Sequence, residues 1–115
     1  MKNQRDHLED LLAEIRRIAQ FTETGRDAFL ADERDQYAVM MAYSRIGEIL
    51  KQIDDALLAA QPQIDWKSIK GFRDILIHRY FDISIERVWQ AVEQLPALRA
   101  AIEALLAGLP PVEGA

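Results

Sequence analysis

The sequence predicts an all-α fold, an up-and-down bundle of four principal helices, on the basis of three observations. Apolar residues recur at steps of three and four along most of the chain, which is the period of an amphipathic helix. The alternation typical of strands does not persist beyond a few residues. The chain has 115 residues, half of them apolar, which is enough for a single domain that buries about two-thirds of its unfolded surface.

The first predicted helix runs from about Asn3, its N-cap, to Phe21, and Thr22–Gly25 ends it. Asp27–Leu30 is expected to form a short helical turn after it. The apolar stripe of this first helix consists of Leu8, Leu11, Leu12, Ile15, Ile18 and Ala19.

The second predicted helix is long, from about Asp32 to Ala60, and Pro62 closes it. Residues 37–43 are apolar on every side, so this end needs cover from a central position in the bundle or from a dimer interface. Gly47 either permits a close backbone approach or is a tolerated glycine that costs about 1 kcal/mol. A seven-residue repeat typical of helix packing consists of Val39, Tyr43, Ile46, Leu50, Ile53 and Leu57.

The third predicted helix concentrates positive charge in an otherwise acidic protein. It starts after the N-cap Asp65 and runs from Trp66 to about Tyr80, where the local net charge is +3, whereas the whole chain carries −5. This distribution excludes a surface coated with nucleic-acid contacts and fits a site for a few phosphates of a substrate. Lys70 and Arg79 are the predicted contacts to those phosphates.

The fourth predicted helix begins after Asp82 or Ser84 as its N-cap. Its apolar stripe stays in phase across Pro96, so we predict one helix kinked at that proline. Residues 1–109 then form a helical domain, and residues 110–115 a flexible tail. The stripe consists of Ile85, Val88, Trp89, Val92, Leu95, Leu98, Ile102 and Leu105.

The composition indicates a cytoplasmic protein that does not enter a membrane. The absence of cysteine excludes disulfides and thiolate metal sites and fits a reducing compartment. Met1–Asp10 is polar, unlike a signal peptide, and the longest charge-free runs have nine residues each, too few to span a bilayer. No Gly-rich phosphate loop or His-x-x-x-His pattern occurs, so no cofactor and no metal site are predicted.

Arg73 and His78 are the candidate catalytic residues. Arg73 interrupts an apolar stripe, since Ile69, Leu76 and Ile77 lie three or four residues away from it. A guanidinium cannot lose its charge, so a position on this face demands a carboxylate partner or an anionic ligand. His78 is a proton carrier near neutral pH, and together the two residue types suggest phosphate chemistry.

The two candidate residues do not converge on a regular helix. Five helical residues rotate a side chain by about 500°, so Arg73 and His78 are expected to point about 140° apart. Either the helix loosens at its C-terminal turn and brings His78 round, or a two-fold partner places a second pair in the same cleft. The apolar surface of the second helix favours a homodimer.

Such a cleft would support metal-independent cleavage of RNA. Neutral imidazole accepts the proton of a ribose 2′-hydroxyl as it attacks the adjacent phosphate, and arginine stabilises the charge that grows on the phosphate oxygens. Asp74, one turn before His78, is a candidate for orienting the imidazole ring. The structural alternative is an internal ion pair between Arg73 and Glu48, with His78 placed only by the helix dipole.

The pattern Arg-x4-His-x-Tyr, formed by Arg73, His78 and Tyr80, resembles the signature of the HEPN superfamily, and more narrowly of the HepT toxin family. The resemblance covers nearly the whole chain. Its other parts are Ile46-Gly47-Glu48, the spaced residues Ile64, Trp66, Ile69 and Gly71, the run Leu76–Phe81, Val88-Trp89, and Leu95-Pro96 with Leu98.

This resemblance implies a dimeric, all-helical ribonuclease toxin in which Arg73 and His78 form a composite site. It also implies an antitoxin, a minimal nucleotidyltransferase that silences the toxin by transferring AMP from ATP to Tyr80. An alternative is a non-catalytic helical partner that presents nucleotide or substrate to such a nucleotidyltransferase. A third is a purely structural helical dimer.

Overall fold

Seven α-helices and one 3-10 turn follow one another in residues 2–111, which are the residues that the computed structural model describes, except for the side chain of Tyr80. No strand occurs in this part of the chain, so the all-α prediction is confirmed. The helices are α1 (Gln4–Phe21), α2 (Arg26–Leu30), α3 (Glu33–Leu50), α4 (Asp55–Leu58), α5 (Trp66–His78), α6 (Ile85–Glu93) and α7 (Leu95–Gly108), with the 3-10 turn at Tyr80–Asp82.

Local sequence signals set the helix starts. The Asn3 side chain accepts a hydrogen bond from the Asp6 backbone N–H, and Asp6 accepts one from the Asn3 N–H, which forms a capping box. Asp65 caps α5 through the N–H of Ser68, and Ser84 caps α6. Of the two candidate caps of the fourth helix, Asp82 and Ser84, the serine makes the contact.

Helix α3 lies at the centre of the fold, because it packs extensively against both α1 and α5. Helix α7 also packs against α1, and this arrangement is consistent with a helical bundle. No helix of the described residues is long and apolar enough to cross a bilayer. Fully buried members of the core include Leu8, Leu11, Ile18, Phe29, Val39, Ile46, Leu50, Val88 and Ile102.

The prediction of one long second helix is wrong, because α3 ends at Leu50. A turn follows, and it is held by the start of α1: the Asp54 backbone N–H donates to Gln4 Oε1 at 2.8 Å, and Gln4 Nε2 donates to the Gln52 carbonyl at 3.2 Å. The short helix α4 comes next. Ile53 is still buried, so the apolar repeat fills the core without a continuous helix.

The fourth predicted helix is two helices, α6 and α7, which meet at Gln94. Pro96 lies in the first turn of α7, where its missing N–H costs no helical hydrogen bond. The prediction of a single helix kinked at Pro96 is therefore wrong: the helix breaks at Gln94, two residues before the proline. At the far end, Arg5 Nη2 donates to the Pro110 carbonyl at 3.0 Å, and the predicted tail beyond residue 111 lies outside the described residues.

Both tryptophans contribute to packing. Trp89 contacts Phe29 with ring centroids 5.4 Å apart. Trp66 Nε1 donates to the Leu58 carbonyl at 2.9 Å and to the Gln61 carbonyl at 3.1 Å. These two hydrogen bonds of Trp66 tie the start of α5 to the end of α4 and so fix where α5 begins.

Candidate active site

Arg73 lies where α5 packs against α3, directly over Gly47. A Cβ atom on Gly47 would overlap the Cβ of Arg73 and would lie 2.9 Å from its Cγ. The glycine therefore permits the aliphatic stem of Arg73 to rest on the α3 backbone. Of the two interpretations of Gly47, the close approach is confirmed.

The guanidinium of Arg73 is paired with two carboxylates. Nη2 lies 2.9 Å from Glu48 Oε2 on α3, and Nη1 lies 3.0 Å from Oδ1 of the neighbouring Asp74. The predicted Arg73–Glu48 ion pair is thus present. The Arg73 side chain is 22% exposed, so solvent and a ligand can still reach it. Its Nε is buried and has no hydrogen-bond partner among the residues that the structure describes.

Asp74 serves Arg73 instead of His78. Its Oδ1 accepts from Arg73 Nη1 and, at 3.3 Å, from Lys51 Nζ. The hydrogen bond from Arg73, followed by the one from Lys51, lowers the pKa of the Asp74 carboxyl below its ordinary value. No hydrogen bond or ion pair joins Asp74 to the imidazole of His78 within the described residues.

His78 is the exposed last residue of α5. The helix is regular up to this point, since the Arg79 N–H still donates to the Ile75 carbonyl at 2.8 Å. The helix does not loosen before His78, so the two candidate side chains point about 140° apart in one chain. No described contact brings Arg73 and His78 together.

The positive charge of α5 is largely neutralised by acidic residues of other segments. Lys70 Nζ lies 3.2 Å from Asp55 Oδ1 on α4, and Arg79 Nε lies 3.4 Å from Asp82 Oδ2. Any phosphate that binds Lys70 or Arg79 therefore has to displace a carboxylate. Within residues 2–111, no group of three or more His, Asp or Glu side chains is placed to hold a metal ion.

The third member of the Arg-x4-His-x-Tyr pattern, Tyr80, starts the 3-10 turn immediately after the C-cap of α5. Its side chain lies outside the described part of the structure. The backbone places Tyr80 two residues from His78, at the same end of α5.

Sequence reasoning missed a buried carboxylate next to this site. The Glu14 side chain is only 3% exposed, and its Oε1 accepts from Arg17 Nη1 at 2.5 Å and lies 3.0 Å from Arg45 Nε. Arg45 belongs to α3, one turn before Glu48. A sequence signal existed, because Glu14 falls within the apolar stripe of α1, three residues after Leu11.

Two apolar surfaces of α3 and α5 are not covered by the described residues of this chain. Tyr37 and Met41, one turn apart on α3, are 60% and 65% exposed. On α5, Ile75 and Ile77 are also exposed. The expectation that the start of the second helix needs further cover is consistent with these exposures.

Comparison with known proteins decides the family. The family model "Ribonuclease HepT-like" matches residues 11–105, which is most of the chain and includes both Arg73 and His78. The chain belongs to the HepT-like ribonuclease family. The family resemblance seen in the sequence is thereby confirmed.

Similar proteins of this family occur in archaea. A protein of Thermococcus cleftensis named probable ribonuclease HepT is 36% identical over 106 residues, covering 90% of this chain and 96% of its own length. Two proteins of Methanocaldococcus jannaschii, each named as a candidate RNase, are 37% identical over 92 residues and 32% identical over 98 residues. They cover 79% and 84% of this chain, and 76% and 90% of their own lengths. No solved structure matches the chain.

Proposed function

We propose that this protein is a metal-independent endoribonuclease whose active site combines Arg73 and His78 at a homodimer cleft. The observation that carries the proposal is the state of Arg73 in a HepT-like chain: its guanidinium is accessible and incompletely hydrogen-bonded. A purely structural ion pair would be expected to satisfy every N–H of the group. The exposed part of the side chain is where a phosphate can replace a carboxylate on the terminal nitrogens, whereas the buried Nε is out of its direct reach.

A second copy of the chain supplies what one copy lacks. Because Arg73 and His78 diverge by about 140° on one helix, the arginine of one protomer works with the histidine of the other. Exposed apolar side chains on α3 and α5 support such an association, since burying them would stabilise a dimer. They include Tyr37, Met41, Ile75 and Ile77.

The reaction follows from the chemistry of the two groups. The neutral imidazole of His78 takes the proton of a ribose 2′-hydroxyl, whose oxygen forms a bond to the adjacent phosphorus. The bond from phosphorus to the 5′ oxygen breaks, and the imidazolium formed on the same His78 returns the proton to that oxygen. Arg73 stabilises the charge on the non-bridging oxygens. The products are a 2′,3′-cyclic phosphate and a 5′-hydroxyl.

Carboxylates control how readily RNA enters the site. A phosphate that binds Arg73 must compete with Glu48 and Asp74. At Lys70 it must displace Asp55, and at Arg79 it must displace Asp82. Exchange of a carboxylate for a phosphate keeps each cation paired, so the exchange itself carries a small electrostatic cost.

The direct test is cleavage of an RNA oligonucleotide by purified protein in the presence of EDTA. Wild-type protein is expected to release cyclic-phosphate ends from RNA and to leave the DNA of the same sequence intact. Arg73→Met keeps the packing volume over Gly47 and should lower the cleavage rate by about 100- to 1,000-fold. His78→Gln should lower it by about 100- to 10,000-fold. Full cleavage by both variants would refute the proposal.

We further propose that AMP transfer to Tyr80 by a cognate nucleotidyltransferase antitoxin silences the enzyme. An adenylyl group at this end of α5 would place an anion and a bulky nucleoside two residues from His78. Incubation with the antitoxin and ATP should add the mass of AMP to wild-type protein and abolish cleavage. Tyr80→Phe should cleave RNA and resist silencing; silencing of this variant without added mass would contradict the proposal.

The pairing of Arg73 with two carboxylates favours a second candidate function, that of a non-catalytic partner of a nucleotidyltransferase. In that role the chain presents nucleotide or substrate and does not cleave RNA. The distinguishing result is ATP-dependent transfer by the nucleotidyltransferase that is lost when this chain is removed, together with intact RNA after incubation with the purified chain alone.

A further inference from the structure

A cavity of about 330 Å³ opens between α5, α6 and the start of α7, with α3 at its base. Its walls are mainly apolar and include Ile69, Phe72 and Leu98. Arg73 and His78 are not among its lining residues. The volume lies at the small end of the range for ligand pockets, roughly 300–1,000 Å³. It is thus large enough for a small organic molecule and separate from the proposed active site.

Tyr43 lines the cavity and brings a hydroxyl donor to it. The residue is only 4% exposed, and its ring meets the ring of Phe72 edge-on with centroids 5.2 Å apart. Within residues 2–111, its hydroxyl has no hydrogen-bond partner. Burial raises the pKa of Tyr43, although nearby Arg87 opposes the shift, so the hydroxyl keeps its proton at neutral pH. Because Tyr43 lines the cavity, a ligand or water there can supply the acceptor for this hydroxyl.

Arg87 places a cation at the mouth of the same cavity. Its guanidinium carbon lies 4.8 Å from the centre of the Phe72 ring, over the ring face. No carboxylate pairs with Arg87 in the described part of the chain. The one acidic lining residue, Asp65, is engaged by the Ser68 hydroxyl at 2.6 Å and the Ser68 N–H at 3.0 Å. The cavity therefore offers two unused donors, one of them charged, to an anion.

We propose that this cavity binds a small organic anion with a flat apolar body. The anionic group accepts hydrogen bonds from the Tyr43 hydroxyl and the Arg87 guanidinium. The flat body packs against Phe72, Ile69 and Leu98. A carboxylate or a phosphate monoester on an aromatic ring has this chemistry, whereas a long polyanion such as RNA does not fit the volume.

The test uses benzoate, its neutral isostere benzamide, and phenyl phosphate as probes, followed by amide NMR shifts of the full chain. Benzoate or phenyl phosphate should shift the amides of Ser68, Ile69 and Phe72 with a dissociation constant of about 1 mM or lower. Benzamide should bind roughly tenfold more weakly, because it lacks the charge that Arg87 recognises. Whichever of the two anions binds more tightly identifies the head group.

Two variants and two controls complete the experiment. Arg87→Gln and Tyr43→Phe should each weaken binding of the anion by roughly tenfold, with unchanged thermal stability to show that both still fold. Arg99→Gln, a change on the exposed face of α7, and Arg73→Met should leave binding unchanged. Absence of shifts at millimolar probe, equal binding of benzamide, or undiminished binding by Arg87→Gln would each overturn the proposal. RNA cleavage by Arg87→Gln should equal that of wild type, which separates this outcome from the proposed function.

Discussion

Arg73 occupies a position that neither a core residue nor a surface residue normally fills. Its stem packs on Gly47, its two terminal nitrogens bind carboxylates, and its Nε is buried without a partner in the described part of the chain. An unsatisfied buried donor costs about 1–3 kcal/mol. The pairing with Glu48 was predictable, because an arginine in an apolar stripe needs a partner on the facing helix. The unpaired Nε was not, since it depends on the angle at which the side chain crosses α3.

The contact between Gly47 and Arg73 predicts opposite effects of alanine at two helical glycines. Gly47→Ala should destabilise the protein by about 1–3 kcal/mol, because overpacking against Arg73 outweighs the gain in helix propensity. Gly71→Ala, on the exposed face of α5 with open space around it, should stabilise the protein by up to about 1 kcal/mol. Urea unfolding followed by tryptophan fluorescence measures both. A stabilised Gly47→Ala variant would contradict the close approach.

The buried carboxylate of Glu14 gives a second prediction at this scale. Glu14→Gln keeps the volume but removes the charge that pairs with Arg17 and Arg45, so we expect a loss of about 1–3 kcal/mol. Both arginines remain accessible to water, which limits the loss. Glu103→Gln breaks the exposed pair with Arg99 and should cost no more than about 0.5 kcal/mol. Equal losses in the two variants would show that burial of Glu14 has no energetic role.

At the scale of elements, helix starts were predicted more accurately than helix ends. Asn3, Asp65 and Ser84 form caps with residues only three positions away, so the sequence contains all the information needed. The end of α3 was missed because it depends on a contact between Gln4 and Asp54, fifty residues apart. The stripe across Pro96 stays in phase whether the helix is kinked or broken, so periodicity alone does not distinguish the two.

The cap of α5 predicts a dependence of stability on pH. The Ser68 hydroxyl, and then its N–H, hold the pKa of Asp65 below the ordinary value of 3.8. The ionised form is therefore favoured in the folded state, and its stabilising effect is complete above pH 3.8 and lost as pH falls through the lower, folded pKa. Ser68→Ala should lower the thermal midpoint at neutral pH, and the difference from wild type should shrink in strong acid.

Ser44→Ala is the matched control for this experiment. Its hydroxyl donates to the Met40 carbonyl at 2.8 Å, and among the described residues it makes no hydrogen bond to an ionisable side chain. The difference between Ser44→Ala and wild type should therefore be the same at neutral and acidic pH. A constant difference for Ser68→Ala as well would show that the hydrogen bonds to Asp65 are not linked to its ionisation.

At the scale of the whole molecule, counting charges along the sequence overestimated the positive charge that the folded surface presents. The third predicted helix has a net charge of +3, but Glu48 and Asp55 reach Arg73 and Lys70 from other helices. Such neutralisation depends on the tertiary fold and is invisible in a linear count. The fold class, by contrast, follows from periodicity alone, because only helices bury stripes spaced by three and four residues.

The residues of the candidate site could be predicted from the sequence, but the contacts among them could not. Arg73, His78 and Tyr80 stand out in the sequence because a charged residue breaks an apolar stripe near a helix end. Asp74, proposed to orient His78, instead contacts Arg73 and Lys51, which sequence spacing could not reveal. The proposed meeting of the arginine with the histidine of a second protomer is a geometry that local sequence does not encode.

The central claim is that Arg73 of one protomer acts with His78 of its partner, and mixed dimers test it most directly. Arg73→Met and His78→Gln proteins, each inactive alone, are unfolded together, refolded as an equal mixture and assayed for RNA cleavage. Half of the dimers are then mixed, and each mixed dimer holds one intact pair out of two, so the mixture should recover about a quarter of the wild-type rate. A mixture no more active than the separate variants would contradict the claim.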